Sequence, residues 1–153
     1  PFTTPTTACF VLPDLVRVTS FDGVQVPCWV YLPRTPPPPT GFPVMINIHG
    51  GPESQSRPRF NPLFQYLLLE CGIAILDPNV RGSSGYGKVF LEAANTMRRE
   101  DSVKDIGALI SWLAEPNPSP CPSSHLLHQA RSGGCKIQLF DPARVAVRGG
   151  SYG

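Results

Sequence analysis

The chain predicts an α/β protein built on a mostly parallel sheet. Three observations carry that expectation. An opening β-hairpin signature is followed by three short apolar runs, segments of helical period lie between those runs, and each run ends directly in a glycine-rich loop. Strands alternating with helices at this spacing need right-handed crossovers, and so a parallel sheet. Sheets of this kind form their sites outside the carboxyl ends of the strands. Loops that carry glycine and polar residues at three such ends therefore point to one shared site.

Residues 1–13 are rich in Thr and Pro without periodicity and read as a linker or tail. Leu15 to Ser20 alternates in strand fashion, Asp22-Gly23 is a hairpin turn signal, and Val24 to Leu32 is a second β-rich run. Pro33 to Gly41 is an extended, solvated spacer by composition, with a proline-recognition ligand as the alternative. Val44 to Ile48 is nearly continuous apolar sequence, as expected of a strand buried on both faces, and runs into His49-Gly50-Gly51-Pro52.

Phe60 to Cys71 carries Leu63, Phe64, Leu67 and Leu68 at helical spacing, and Gly72 suits the helix C-terminus. Ile73 to Leu76 predicts another buried strand, ending at the loop Asp77 to Gly87. A helix is expected over 88–98, and a stronger one follows with Val103, Ile106, Gly107, Ile110 and Leu113 as its apolar stripe. Ser102 with Asp105 three residues on has the pattern of a capping box, which accounts for Asp105. Residues 116–140 read as a surface insertion, Pro/Ser/Gly-rich as far as Gly134, with Lys136 to Phe140 a short extended piece. Asp141-Pro142 turns the chain into a last strand, Arg144 to Arg148, expected to be buried like its predecessors.

Composition excludes several classes. The net charge of +2 is small and scattered, without a basic cluster interleaved with aromatics, so no nucleic-acid partner is expected. No apolar run reaches the roughly 18 residues of a membrane span. Cys9, Cys28, Cys71, Cys121 and Cys135 show neither C-x-x-C nor zinc-type spacing, and their odd, scattered placement speaks against a disulfide framework. A reducing, intracellular setting is favoured, and neither a metal nor a cofactor is expected. A length of 153 residues that starts with Pro and stops inside a motif suggests part of a longer protein.

That final motif, Gly149-Gly150-Ser151-Tyr152-Gly153, is G-x-S-x-G after a strand-like run. In a nucleophile elbow the strand turns sharply into a helix, which requires small neighbours and pushes the serine hydroxyl outward. Ser151 is the candidate nucleophile, and it needs a base to remove its proton. Gly50 and Tyr152 are the candidate oxyanion donors, through their backbone N–H groups. His49, Gly51 and Arg81 are assigned to shaping the loops. His49 precedes the nucleophile, whereas the triad order in α/β-hydrolases is Ser, then Asp or Glu, then His, so both partners are expected after Gly153. His125 and His128 lie in the insertion as solvated residues.

Four segments occur together and in order: Phe21-Asp22-Gly23, Ile48 to Pro52, Asn79 to Gly87, and Gly149 to Gly153. The set resembles the catalytic domain of the prolyl oligopeptidase family of serine peptidases, most closely its acylaminoacyl-peptidase and dipeptidyl-peptidase-like branches. The resemblance spans roughly residues 14–153, with the Pro116–Gly134 insertion departing from it, and implies an incomplete α/β-hydrolase domain, normally preceded by a β-propeller that admits only short peptides. Some members place a tyrosine side chain as oxyanion donor where this chain has His49, so the donors carried over are Gly50 and Tyr152. The implied activity is hydrolysis of short peptides through an acyl-enzyme on Ser151, with these 153 residues inactive and poorly soluble by themselves. A carboxylesterase of the same fold and a non-catalytic truncated product are the alternatives.

Overall fold

A computed structural model describes residues 10–51, 53–116, 138–151 and 153. Cys9, Cys121, Cys135, His125, His128, Pro52, Tyr152, residues 1–9 of the expected linker and residues 117–137 of the expected insertion lie outside the described residues. The hairpin forms as expected from strands β1 (Asp14–Thr19) and β2 (Gln25–Tyr31), in register from Asp14 opposite Val30 to Thr19 opposite Gln25. Its turn closes with Ser20 N–H donating to Val24 O at 2.8 Å, and Gly23 takes the positive φ of +87° that the turn requires.

Strand β3 (Phe42–Ile48) leads through helix α1 (Pro62–Leu69) to β4 (Ala74–Pro78). Helix α1 begins two residues later than the periodicity suggests because Asn61 caps it. The Asn61 side chain accepts from Leu63 N–H and Phe64 N–H, and Pro62 occupies the first turn, where its missing N–H costs nothing. The helix expected over 88–98 is instead a short α2 (Lys88–Glu92), then a 3-10 turn (Thr96–Arg98) that runs on into α3 (Arg99–Ala114). Thr96 sits at a φ of +54°, which a continuous helix cannot accommodate.

Strand β5 (Phe140–Gly149) completes a sheet of order β1-β2-β4-β3-β5, in which β4, β3 and β5 are parallel and the hairpin pairs antiparallel to β4. The chain steps from β3 to β4 in one direction and from β4 past β3 to β5 in the other. Right-handed crossovers then place α1 and α3 on opposite faces. The core divides accordingly. Val30, Val44, Ile46, Leu76, Leu109, Trp112, Leu113 and Phe140 pack on the α3 face, while Tyr31, Phe64, Leu68 and Ile75 pack on the α1 face.

Three expectations need correction. The buried face of α3 consists of Ser102, Asp105, Leu109, Trp112 and Leu113, whereas Val103 is 69% and Ile110 39% exposed. Trp112 offers more apolar area than Val103 or Ile110, and Asp105 is drawn inward by an arginine, so the helix turns past its β-branched stripe. Ser102 does not cap α3 either: its hydroxyl donates to Arg99 O at 2.8 Å from inside the first turn. Lastly, β5 is buried only at its start, because it pairs with β3 alone among the described residues, and Val147 is 54% exposed.

Asp141-Pro142 does turn the chain, but inside β5. The pairing with β3 jumps from Phe42–Phe140 to Val44–Val145, and Asp141 Oδ1 accepts Ala143 N–H at 3.0 Å across the irregularity. Leu139 and Phe140, the last residues of the expected insertion, are core residues, with the Phe140 ring 5.5 Å from that of Trp112. Phe140→Ala is expected to cost about 3–5 kcal/mol of stability. A shift of the urea midpoint worth less than about 1 kcal/mol would place Phe140 outside the cooperative core.

Candidate active site

The carboxyl ends of β3, β4 and β5 carry the three loops, and backbone geometry brings two of them into contact. Ser151 leaves β5 with φ at +59°, one of two described non-glycine residues in the left-handed region. That conformation costs a side-chain-bearing residue about 1–2 kcal/mol and is tolerated where the surroundings impose it. They do so here. A Cβ on Gly149 would run into the backbone of Gly153, and one on Gly153 would lie 2.6 Å from Ile48 O. Gly153 N–H closes the turn onto Gly150 O at 3.1 Å. The elbow is therefore wedged against the end of β3, with Ser151 exposed.

Gly50 meets the elbow directly. A side chain there would stand 2.9 Å from Gly150 O and 3.2 Å from Ser151 Cβ, so only glycine allows the β3 loop to lie against the serine. Gly51 follows with φ at +62°. Tyr152, the other expected donor, is outside the described residues.

His49 faces away toward the β4 loop. Its Nε2 lies 2.9 Å from Ser83 Oγ, and its Nδ1 lies 3.2 Å from Gly50 O. Because the Ser83 hydroxyl donates to Val80 O at 2.6 Å, it accepts from His49, which puts a proton on Nε2. That proton is directed at Ser83 and not at Ser151. His49 ties the two loops together.

Arg81 anchors the β4 loop through a buried network. Its guanidinium grips Asp22 with two bonds of 2.7 and 2.8 Å, and Asp105 accepts from Nη2 at 2.8 Å, from Nε at 3.1 Å and from the Arg81 backbone N–H at 2.9 Å. Ser20 Oγ adds a 2.6 Å bond to Asp105, and the Phe21 ring lies 4.8 Å from the guanidinium carbon. One cation thus joins the hairpin turn, α3 and the loop. Helix capping accounts for none of these Asp105 contacts. The signal that could have found them is an arginine beside a glycine loop, combined with an unmatched acid on the buried side of a helix.

Hydrogen bonds from Arg81 pull the Asp22 carboxyl down to about 2, against the opposing effect of burial. A carboxyl lowered in the folded state contributes stability above its unfolded value of about 3.9, and that contribution is lost as pH falls toward the folded value. The melting temperature is therefore expected to drop between about pH 4 and about pH 2, and to drop less in Asp22→Asn. Equal acid slopes for the two proteins would remove Asp22 from the account.

The model of the Prolyl oligopeptidase family matches residues 58–119. A protein of Bacillus subtilis (strain 168) named "Uncharacterized peptidase YuxL" is 29% identical over 142 residues, covering 93% of this chain and 18% of that protein. The acylamino-acid-releasing enzyme of Rattus norvegicus is 30% identical over 122 residues, covering 79% of this chain and 14% of that enzyme. The crystal structure of puromycin hydrolase superposes with a TM-score of 0.72 at 27% identity, over 99% of this chain and 20% of its own.

The chain belongs to the prolyl oligopeptidase family. Its fold is that of the family's α/β-hydrolase catalytic domain. This prolyl oligopeptidase family chain spans less than a fifth of the curated relatives it matches. Among its described residues, no helix is long and apolar enough to cross a membrane.

Proposed function

We propose that this chain supplies the nucleophile and the oxyanion donors of a serine peptidase that cleaves short peptides through an acyl-enzyme on Ser151. One observation carries the reading: Ser151 projects from a strained elbow, and Gly50 of the β3 loop lies against it. In that arrangement Ser151 Oγ attacks the scissile carbonyl, and the backbone N–H groups of Gly50 and Tyr152 receive the charge that develops on its oxygen. Each such donor lowers the barrier by about 2.7–4 kcal/mol.

The base and its orienting carboxylate are assigned to sequence following Gly153, in the order Ser, acid, His. This fits the orientation of His49, whose Nε2 proton is directed at Ser83, and relatives more than five times as long. The 153 residues alone are then inactive, and an upstream β-propeller would restrict access to short peptides.

The test uses the longer natural protein, comparing a peptide amide with a simple ester and labelling Ser151 with a fluorophosphonate. Amide turnover together with labelling at Ser151 is the expected result. Turnover of the ester alone would favour an esterase, and absence of both would favour a non-catalytic role.

A further inference from the structure

The loop that carries Gly50 is long, glycine-rich and attached to β3 at one end only, yet an oxyanion donor must hold its position to a fraction of an ångström. Its second anchor is Ser56. The Ser56 N–H donates to Asn79 Oδ1 at 2.8 Å, and Ser56 O accepts from Asn79 Nδ2 at 3.0 Å. Asn79 is fully buried at the end of β4, and its side-chain amide grips a backbone amide as a neighbouring strand would.

The remaining hydrogen of Nδ2 is also used, donating to Tyr86 Oη at 3.0 Å. Three of the hydrogen-bonding positions of one side chain are therefore taken by the two loops that flank the elbow. Further contacts follow the same seam: Ser84 N–H donates to Ser54 O at 2.9 Å, Ser56 Oγ donates to Asp77 Oδ1 at 2.7 Å, and His49 meets Ser83. Trp29 Nε1 adds a bond to Ser56 O at 3.2 Å. Among the described residues, Asn79 alone holds both the N–H and the C=O of Ser56.

We infer that Asn79 is a positioning residue for the oxyanion loop: its amide sets where the β3 loop returns to the sheet, and thereby the place of Gly50 beside Ser151. The inference rests on the peptidase reading for its catalytic consequence, but its structural half stands independently. Asp is the informative replacement because it has the same shape. It keeps an acceptor for Ser56 N–H and replaces the donor to Ser56 O with an oxygen that repels it, while the Tyr86 hydroxyl can turn and donate to that oxygen.

Amide hydrogen exchange on Asn79→Asp in the longer natural protein reads the structural half. Exchange at residues 50–56 is expected to accelerate at least tenfold while β1–β4 keep their protection. Unchanged exchange in the loop, or equal loosening of the whole sheet, would overturn the inference.

Kinetics on the same variant read the catalytic half. A kcat about 10²-fold lower is expected, with KM nearly unchanged and a peptide boronate losing affinity by the same factor as kcat. A loosened loop with full kcat would overturn the positioning role and leave the peptidase reading intact, whereas parent protein without amide turnover would reject that reading alone, leaving exchange to decide the loop. Should Asn79→Asp fail to fold, Asn79→Ser retains a short acceptor and is expected to show the same pattern, weaker by a few fold.

Discussion

Ser151→Ala in the longer natural protein is expected to lower kcat by on the order of 10⁶, with the melting temperature unchanged. Such a loss corresponds to about 8 kcal/mol of barrier, leaving the residual 10³–10⁴ over water that oxyanion donors and binding supply without a nucleophile. The structural half of this expectation comes from the elbow. Alanine keeps the Cβ, so it adopts the φ of +59° at the same cost as serine, and removing the hydroxyl opens no cavity because Ser151 is exposed. Ser151→Gly separates the two effects further. It removes the nucleophile and also the backbone strain, and should be more stable than the parent by up to about 1 kcal/mol. Paired thermal melts and progress curves check both statements. Amide turnover within tenfold of the parent in Ser151→Ala would mean that the acyl-enzyme forms elsewhere.

Asp105→Ala is expected to cost about 3–5 kcal/mol, the largest stability effect outside the apolar core. The mechanism is a buried cation deprived of its most buried carboxylate. Arg81 is 3% exposed, and without Asp105 its Nε and backbone N–H lose their acceptors while the guanidinium keeps the partly exposed Asp22 and the more distant Asp101 at 3.9 Å. Against a typical total of 5–15 kcal/mol, a loss of this size brings the fold near its threshold. Asp105→Asn should cost less, since it retains one acceptor. Arg81→Lys should cost more than its conserved charge suggests, because an ammonium cannot span two carboxylates. Urea unfolding of the three variants provides the measurement. A change below about 1 kcal/mol for Asp105→Ala would show that water enters to solvate Arg81.

The two networks have different tasks. The ion-pair cluster joins the hairpin, α3 and the start of the β4 loop, whereas Asn79, Ser56 and His49 join the β4 loop to the β3 loop. Losses at Arg81 or Asp105 should therefore appear as global stability, and losses at Asn79 as local exchange and kcat. The division follows from where each contact sits relative to Gly50 and Ser151.

Some of this could be read along the chain because its cause is local. An apolar run of period two makes a strand wherever it is placed, Asp22-Gly23 turns a hairpin by its own backbone preference, and an elbow announces itself through glycines two residues either side of a serine. The motif order and the α/β alternation follow from the same short-range physics. Long-range pairing decided the remainder. Arg81 meets Asp105 across 24 residues and Asp22 across 59, and Asn79 grips Ser56 across 23. No local period encodes a partner at such a distance. The apolar stripe of α3 was misjudged for that reason: Val103 and Ile110 have the right spacing, but a buried carboxylate seeking its arginine, together with the area of Trp112, set which side of the helix faces the sheet. The sequence alone determined the strands, the turns and the elbow serine, whereas the tertiary structure alone decided which side chains hold the loops around it, because that choice belongs to pairs of residues the chain brings together only by folding.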